Sequence, residues 1–257
     1  MMKKFLSFLL AAVLACALFA CADEGKPSDY TFESLENALS AANALKEAEL
    51  LTENEATVHY EQSSLKKYDV DSSQRSETAF RRNEEGKVVE LSGDYTLKTK
   101  EETAFSVYYQ DGYAYYNENG KLRKEAVDAS LIDDQSLFLS FSKDDVKNYS
   151  AKEKKGVITV TFTVPWESTS KKVVELYAQL ASVMQSTGLE ILDVTYGDLS
   201  AEYTVDQNTG ALKGYTYKYS ASMKVDGKKV EVKGRASCTV LKTENVQIVS
   251  PDLSLYE

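Results

Sequence analysis

An α+β fold, with a curved antiparallel sheet packed on two helices, is the architecture this 257-residue sequence predicts. Three observations carry that prediction. β-Rich runs recur between turn signals at Glu85-Gly86, Asp111-Gly112, Asn119-Gly120, Lys155-Gly156, Asp206 to Gly210 and Asp226-Gly227, the punctuation of an antiparallel meander. Two segments, one early and one in the middle, space their apolar residues by three and four, as a helix does. The final hairpin gathers its apolar residues on one face, so its sheet has one side to bury.

The chain opens on MMKKFLSFLLAAVLACALFAC. Lys3 and Lys4 precede an apolar run of 16 residues, Phe5 to Ala20. That is short of the roughly 20 that span a bilayer as a helix, and it has the layout of a secretory signal. Leu18-Phe19-Ala20-Cys21 sets a leucine three before a cysteine and a small residue directly before it, with Asp23-Glu24 behind. It resembles a bacterial lipobox. The resemblance implies that residues 1–20 are removed as a signal peptide, that the Cys21 thiol carries a diacylglycerol, and that residues 21–30 tether the protein to the extracytoplasmic face of a bacterial cell membrane. A thiolate is the chain's strongest nucleophile for such alkylation, and several acyl chains on one terminus anchor stably. Val13-Leu14-Ala15-Cys16 is a competing box, yet cutting there would leave apolar Ala17 to Ala20 on the mature end.

Without Lys3 and Lys4 the mature chain keeps 28 basic residues against 40 acidic ones, a net charge of −12. An acidic surface repels phosphate backbones, so nucleic acid is excluded as a partner. The mature cysteines are Cys21 and Cys238. With Cys21 lipidated, no intramolecular disulfide can form. The remaining residues, 31–257, are expected to form one domain.

Taken in order, Phe32, Leu35, Ala38, Leu39, Ala42 and Leu45 predict an amphipathic helix with Thr31 as N-cap. At Ala56, Val58 and Tyr60 the period changes to two, the mark of a half-buried strand. Tyr68 to Glu77 is polar throughout and is expected to be a loop or an irregular edge. Val173, Leu176, Tyr177, Leu180, Ala181, Val183 and Met184 predict a middle helix that starts after Ser168 and stops at Gly188.

The last hairpin can be read in register. A two-residue loop at Asp226-Gly227 pairs Val225 with Lys228, Met223 with Val230, Ala221 with Val232, Tyr219 with Gly234, Tyr217 with Ala236 and Tyr215 with Cys238. Lys218, Ser220, Lys224, Lys229, Glu231 and Lys233 then share the opposite face. Large rings oppose small residues, and strands this long must twist and curl into a cradle. Tyr215, Tyr217, Tyr219, Met223, Val230 and Val232 are its candidate contacts for a hydrophobic ligand.

The order of these elements resembles a known family. A lipobox, one N-terminal helix, the YYQDGYAYYNENGKLRK hairpin, a middle helix, GDLSAEYTVDQNTGALKGYTYKYSASMKVDGKKVEV and a late IVSPDLSLYE are together similar to the LolA/LppX-like (LprG-like) lipoprotein-carrier superfamily. The resemblance implies an open half-barrel wrapped around the helices, with an apolar cavity that binds or carries a lipid or other hydrophobic molecule. It brings no catalytic residue and no cofactor.

Enzymatic signatures are absent from the sequence. There is no Gly-x-Ser-x-Gly, Walker loop, His-Glu-x-x-His or Cys-x-x-Cys. His59, the single histidine, alternates away from Val58 and Tyr60, toward solvent. Asp206-Gln-Asn208-Thr-Gly210 starts like a calcium loop, but Tyr217 stands where a bidentate glutamate is needed. Asp133-Asp134 and Asp144-Asp145 read as solvated surface. No metal is assigned. Cys238, on the apolar face, is expected to be an inert buried thiol.

Five tyrosines fall within nine residues of the Asp111-Gly112 turn. A two-residue loop there puts Phe105, Val107, Tyr109, Ala114 and Tyr116 on one side, expected to be core. Tyr108, Tyr113 and Tyr115 lie on the other, wetter side and are candidate partner contacts. Two functions follow: a membrane-anchored, non-enzymatic lipoprotein holding a lipid between sheet and helices, or a surface scaffold docking a protein or cell-wall glycan through those tyrosines.

Overall fold

The computed structural model describes residues 25–62, 66, 69–99, 101–127, 138–166 and 191–256. The signal segment, Cys21 and the expected middle helix lie outside the described residues.

Helix α1 (Phe32–Asn43) begins where the sequence places it. Thr31 is extended, and its hydroxyl accepts from the Ser34 N–H at 3.1 Å, satisfying one of the helix's open donors. Phe32, Leu35, Ala38, Leu39 and Ala42 form the buried stripe. At the other end the Asn43 amide exchanges two 3.1 Å hydrogen bonds with the backbone of Phe138, pinning that segment to the helix.

The strands make two meanders. After the short β1 (Lys26–Pro27), the strands β2 (Glu47–Tyr60), β3 (Val70–Arg82), β4 (Val88–Lys98), β5 (Glu102–Gln110), β6 (Tyr113–Glu118) and β7 (Lys121–Ala126) pair in sequence. The second meander holds β8 (Lys147–Lys154), β9 (Val157–Val164), β10 (Ile191–Tyr196), β11 (Leu199–Asp206), β12 (Leu212–Val225) and β13 (Lys228–Lys242), with β10 lying on the far end of β12. Antiparallel pairing of β13 with β2 fuses the two into one sheet, and β1 adds to β8 at its edge. Among the described residues the edges β1 and β7 do not pair, so the sheet is open.

Four of the turns have positive φ at both central residues: Asp111-Gly112, Asn119-Gly120, Lys155-Gly156 and Asp226-Gly227. That geometry matches the twist of a tight hairpin. The β12–β13 register agrees pair for pair with the one read from sequence, from Val225 opposite Lys228 to Tyr215 opposite Cys238. One secondary-structure expectation fails. Tyr68 to Glu77 is not a loop from Val70 onward, because β3 runs there and hydrogen-bonds to β2 on one side and β4 on the other.

The core lies along one face of the sheet. One continuous apolar cluster joins α1 to Ala151 of β8, Val160 of β9, Tyr203 of β11, Tyr217 of β12, Cys238 of β13, Leu50 of β2, Phe80 of β3, Val88 of β4 and Tyr109 of β5.

Candidate functional site

The six residues proposed from sequence as ligand contacts divide between two places. Tyr215 and Tyr217 join the α1 cluster and stack at 4.3 Å between ring centres. Tyr203 donates to the Leu139 carbonyl at 2.9 Å, leaving Tyr217 to donate to Tyr203 at 2.6 Å. Burial raises the pKa of all three hydroxyls. Met223, Val230 and Val232 lie in a second cluster with Ala221 and Val225, flanked by Val58, Tyr60 and Tyr196. Tyr219 stands between the clusters with its ring over Gly234, where an added Cβ would meet the ring at 2.2 Å.

The core-facing side of the sheet changes character between those clusters, on β2 and β3. There Thr52 opposes Ser76, Asn54 opposes Gln74, Ala56 opposes Ser72 and Leu50 opposes Thr78. The six polar side chains of this strip carry no charge. Ser76 is buried and the other five are half-buried. Ser72 donates to the Ala56 carbonyl at 3.2 Å. Among the described residues no side-chain hydrogen bond engages Asn54 or Gln74. The outer face of the same strands holds Glu53, Glu55, Asp71, Arg75 and Glu77, with Arg75 bridging Glu53 at 3.1 Å and Glu77 at 2.8 Å.

An aromatic wall adjoins the strip. Tyr95 opposes Ser76, and its ring lies across Gly93, where a Cβ would come within 2.7 Å of it. Phe105 stacks on Tyr95 at 5.0 Å and 5°. Leu97, opposite Gln74, is 42% exposed. Beyond Phe105 a cleft of about 700 Å³ opens at the β5–β7 edge, lined by Thr103, Phe105, Tyr116, Lys121 and Arg123. The Arg123 guanidinium sits 4.4 Å above the Tyr116 ring and pairs with Glu125 at 2.6 Å.

The tyrosine hairpin has the expected register, with Tyr109 opposite Ala114 and Tyr108 opposite Tyr115. Tyr109 and Ala114 are buried, as expected, but Phe105, Val107 and Tyr116 on the same side are only half-buried, against the expectation that this side is core. The other face corrects the sequence reading: Tyr108 is 3% exposed and Tyr115 is 8% exposed. The chain's own C-terminal segment covers them. Its Val246 carbonyl accepts from Arg81 at 3.1 Å, its Val246 N–H donates to Glu47 at 3.3 Å, and Tyr256 meets Tyr115 edge-on at 5.5 Å. Of the three candidate docking rings only Tyr113 is exposed, with the Lys124 ammonium 4.1 Å over it.

His59 lies on the outer face, its Nδ1 2.6 Å from Asp69 Oδ2, while Asp69 Oδ1 accepts from the Tyr60 N–H at 2.9 Å. That backbone hydrogen bond, helped by His59, holds the Asp69 carboxyl below the ordinary range. The pair closes the end of β2. Asp206 is likewise occupied as a turn cap, accepting from the Asn208 and Thr209 N–H groups at 3.0 Å each. Among the described residues no cluster of three or more His, Cys, Asp or Glu side chains is placed to hold a metal ion. Cys238 is buried, and burial pushes its thiol up to about 11.

No family model matches the chain, and no curated protein matches it in sequence. What sequence reasoning missed is the neutral strip. Its one available signal is the alternation of Ser72, Gln74 and Ser76 with Asp71, Arg75 and Glu77, a period of two in charge instead of hydrophobicity.

Proposed function

We propose that the protein is a lipid-anchored, extracytoplasmic lipoprotein of the LolA/LppX-like kind, which holds a lipid or other hydrophobic molecule in the hollow between its curved sheet and the helices. The observation that carries this reading is the apolar sheet face beyond α1. It continues past the core as Tyr95, Leu97, Phe105, Val107 and Tyr116, all partly open to solvent. Apolar surface left open inside a curved sheet is a binding surface in waiting, and each acyl CH₂ buried against it contributes about 0.8 kcal/mol. The anchor fits the same reading. Since β1 fixes Lys26 on β8, a lipidated Cys21 lies within about 20 Å of the sheet even at full extension, which holds the hollow close to the bilayer.

Intact protein taken from membranes in mild detergent is expected to carry lipid in native mass spectrometry and to bind Nile red, which added lipid displaces. Val107→Asp should weaken Nile red binding at least tenfold with little change in melting, and Cys21→Ala should move the protein to the soluble fraction. A protein that carries no lipid and leaves Nile red dark in water is not a lipid binder. The docking alternative retains one exposed ring, Tyr113, and no second observation favours it.

A further inference from the structure

We propose that the β2–β3 strip is a headgroup site that selects an amphiphile whose polar part is uncharged, the esters and hydroxyls of a diacylglycerol-type lipid. The inference rests on the lipid-binding reading and adds to it which lipid is taken.

Charge is sorted with care on these two strands. In a chain with 27% charged residues, the strip from Thr52 to Ser72 has none, while Glu53, Glu55, Asp71, Arg75 and Glu77 all face outward. What remains inside is hydrogen-bonding capacity. The Asn54 and Gln74 amides stand opposite each other, and each offers two donors and an acceptor. The Thr52 and Ser76 hydroxyls are next to them on the same face, with Thr78 one pair farther along. Half-buried amides of this kind pair with water when no ligand is present, and a ligand bearing ester carbonyls and a hydroxyl can take the place of that water at both donors and acceptors.

Apolar surface lies on both sides of the strip. Leu50 and Phe80 belong to the α1 cluster, and Val58 flanks the cluster of Val230 and Val232. The Tyr95–Phe105 stack stands beside it. An amphiphile can therefore set its polar part on the strip and lead its chains away along the wall. Among the described residues, an anionic headgroup would meet no free cation there. Arg82, on the same face, is eight residues from Gln74 and donates to the Asn43 carbonyl. Lys121 and Arg123 stand on β7, four strands from β3, roughly 19 Å away. A charge brought out of water without a partner is strongly disfavoured.

The test compares acyl-labelled dioleoylglycerol with dioleoyl phosphatidic acid, identical in chains and different in charge, titrated into the intact protein. Dioleoylglycerol should bind at least tenfold more tightly. The double variant Asn54→Asp, Gln74→Glu, nearly identical in shape, should lose tenfold or more of that affinity, while Thr57→Glu on the outer face of the same strand should lose none. Equal affinity for the two lipids, or an unchanged preference in the double variant, overturns the headgroup site. Nile red binding without either lipid also overturns it and leaves the hydrophobic-ligand reading standing. If none of the three binds, both readings fall.

Discussion

Gly234 is explained by the ring opposite it. Its φ is not in the left-handed region, so space and not backbone freedom excludes a side chain there. A Cβ at that position would lie 2.2 Å from Cε2 and Cζ of Tyr219, well inside contact distance. Gly93 under Tyr95 repeats the device on β4. Two tyrosines thus lie across glycines on the inner face of the sheet. Gly234→Ala should destabilise the protein by about 1–3 kcal/mol, the range for overpacking a fitted site. With Tyr219→Ser already present, most of that penalty should vanish. Urea titrations of the four proteins measure the coupling, and equal penalties in both backgrounds would show that the ring is not the obstacle. The large-over-small pairing of Tyr219 and Gly234 was legible in the sequence because a two-residue turn fixes cross-strand register. The Gly93–Tyr95 contact was not, since the two lie along one strand and only a side-chain rotamer brings them together.

At the scale of elements, legibility followed the contrast between faces. The β12–β13 hairpin puts apolar residues on one face and charges on the other, so pattern alone sets its register. From Ser72 to Thr78, strand β3 is polar on both faces, uncharged inside and mostly charged outside, and hydrophobic periodicity has nothing to detect there. The neutral strip was hidden for the same reason. The C-terminal segment was hidden differently. It covers Tyr108 and Tyr115 from more than a hundred residues away in sequence, and no local pattern reports a cover that distant. Deleting residues 246–257 is therefore expected to uncover both rings, break the hydrogen bonds of Arg81 and Glu47 to Val246, and lower stability by about 2 kcal/mol or more. Tetranitromethane should then nitrate Tyr108 and Tyr115, which peptide mapping would detect. If both stay protected and the melting temperature is unchanged, the segment is not their cover.

Among the described residues, one helix and a sheet of two fused meanders share a core in which buried tyrosines pack among phenylalanine and aliphatic side chains. Tyr203 and Tyr217 are buried with their hydroxyls bonded to each other, and Tyr149 donates to the Tyr30 carbonyl at 2.8 Å. Such a core stays neutral only while its phenols keep their protons. Burial raises Tyr149 from its ordinary 10.0 to about 12 and raises Tyr203, Tyr215 and Tyr217 as well. The Cys238 thiol is displaced in the same direction, from 9.0 to about 11. In each case the folded chain holds a proton that the unfolded chain releases at lower pH. Stability is thus whole below about pH 9, begins to fall as the unfolded thiol ionises, and falls more steeply as pH climbs from 10 toward 12. A pH titration followed by phenolate absorbance and by circular dichroism should show the buried phenols ionising in one cooperative step, together with loss of the sheet signal. Complete ionisation of all the tyrosines with the sheet signal intact would mean that water already reaches those hydroxyls in the folded state, and that the core is open where the geometry closes it.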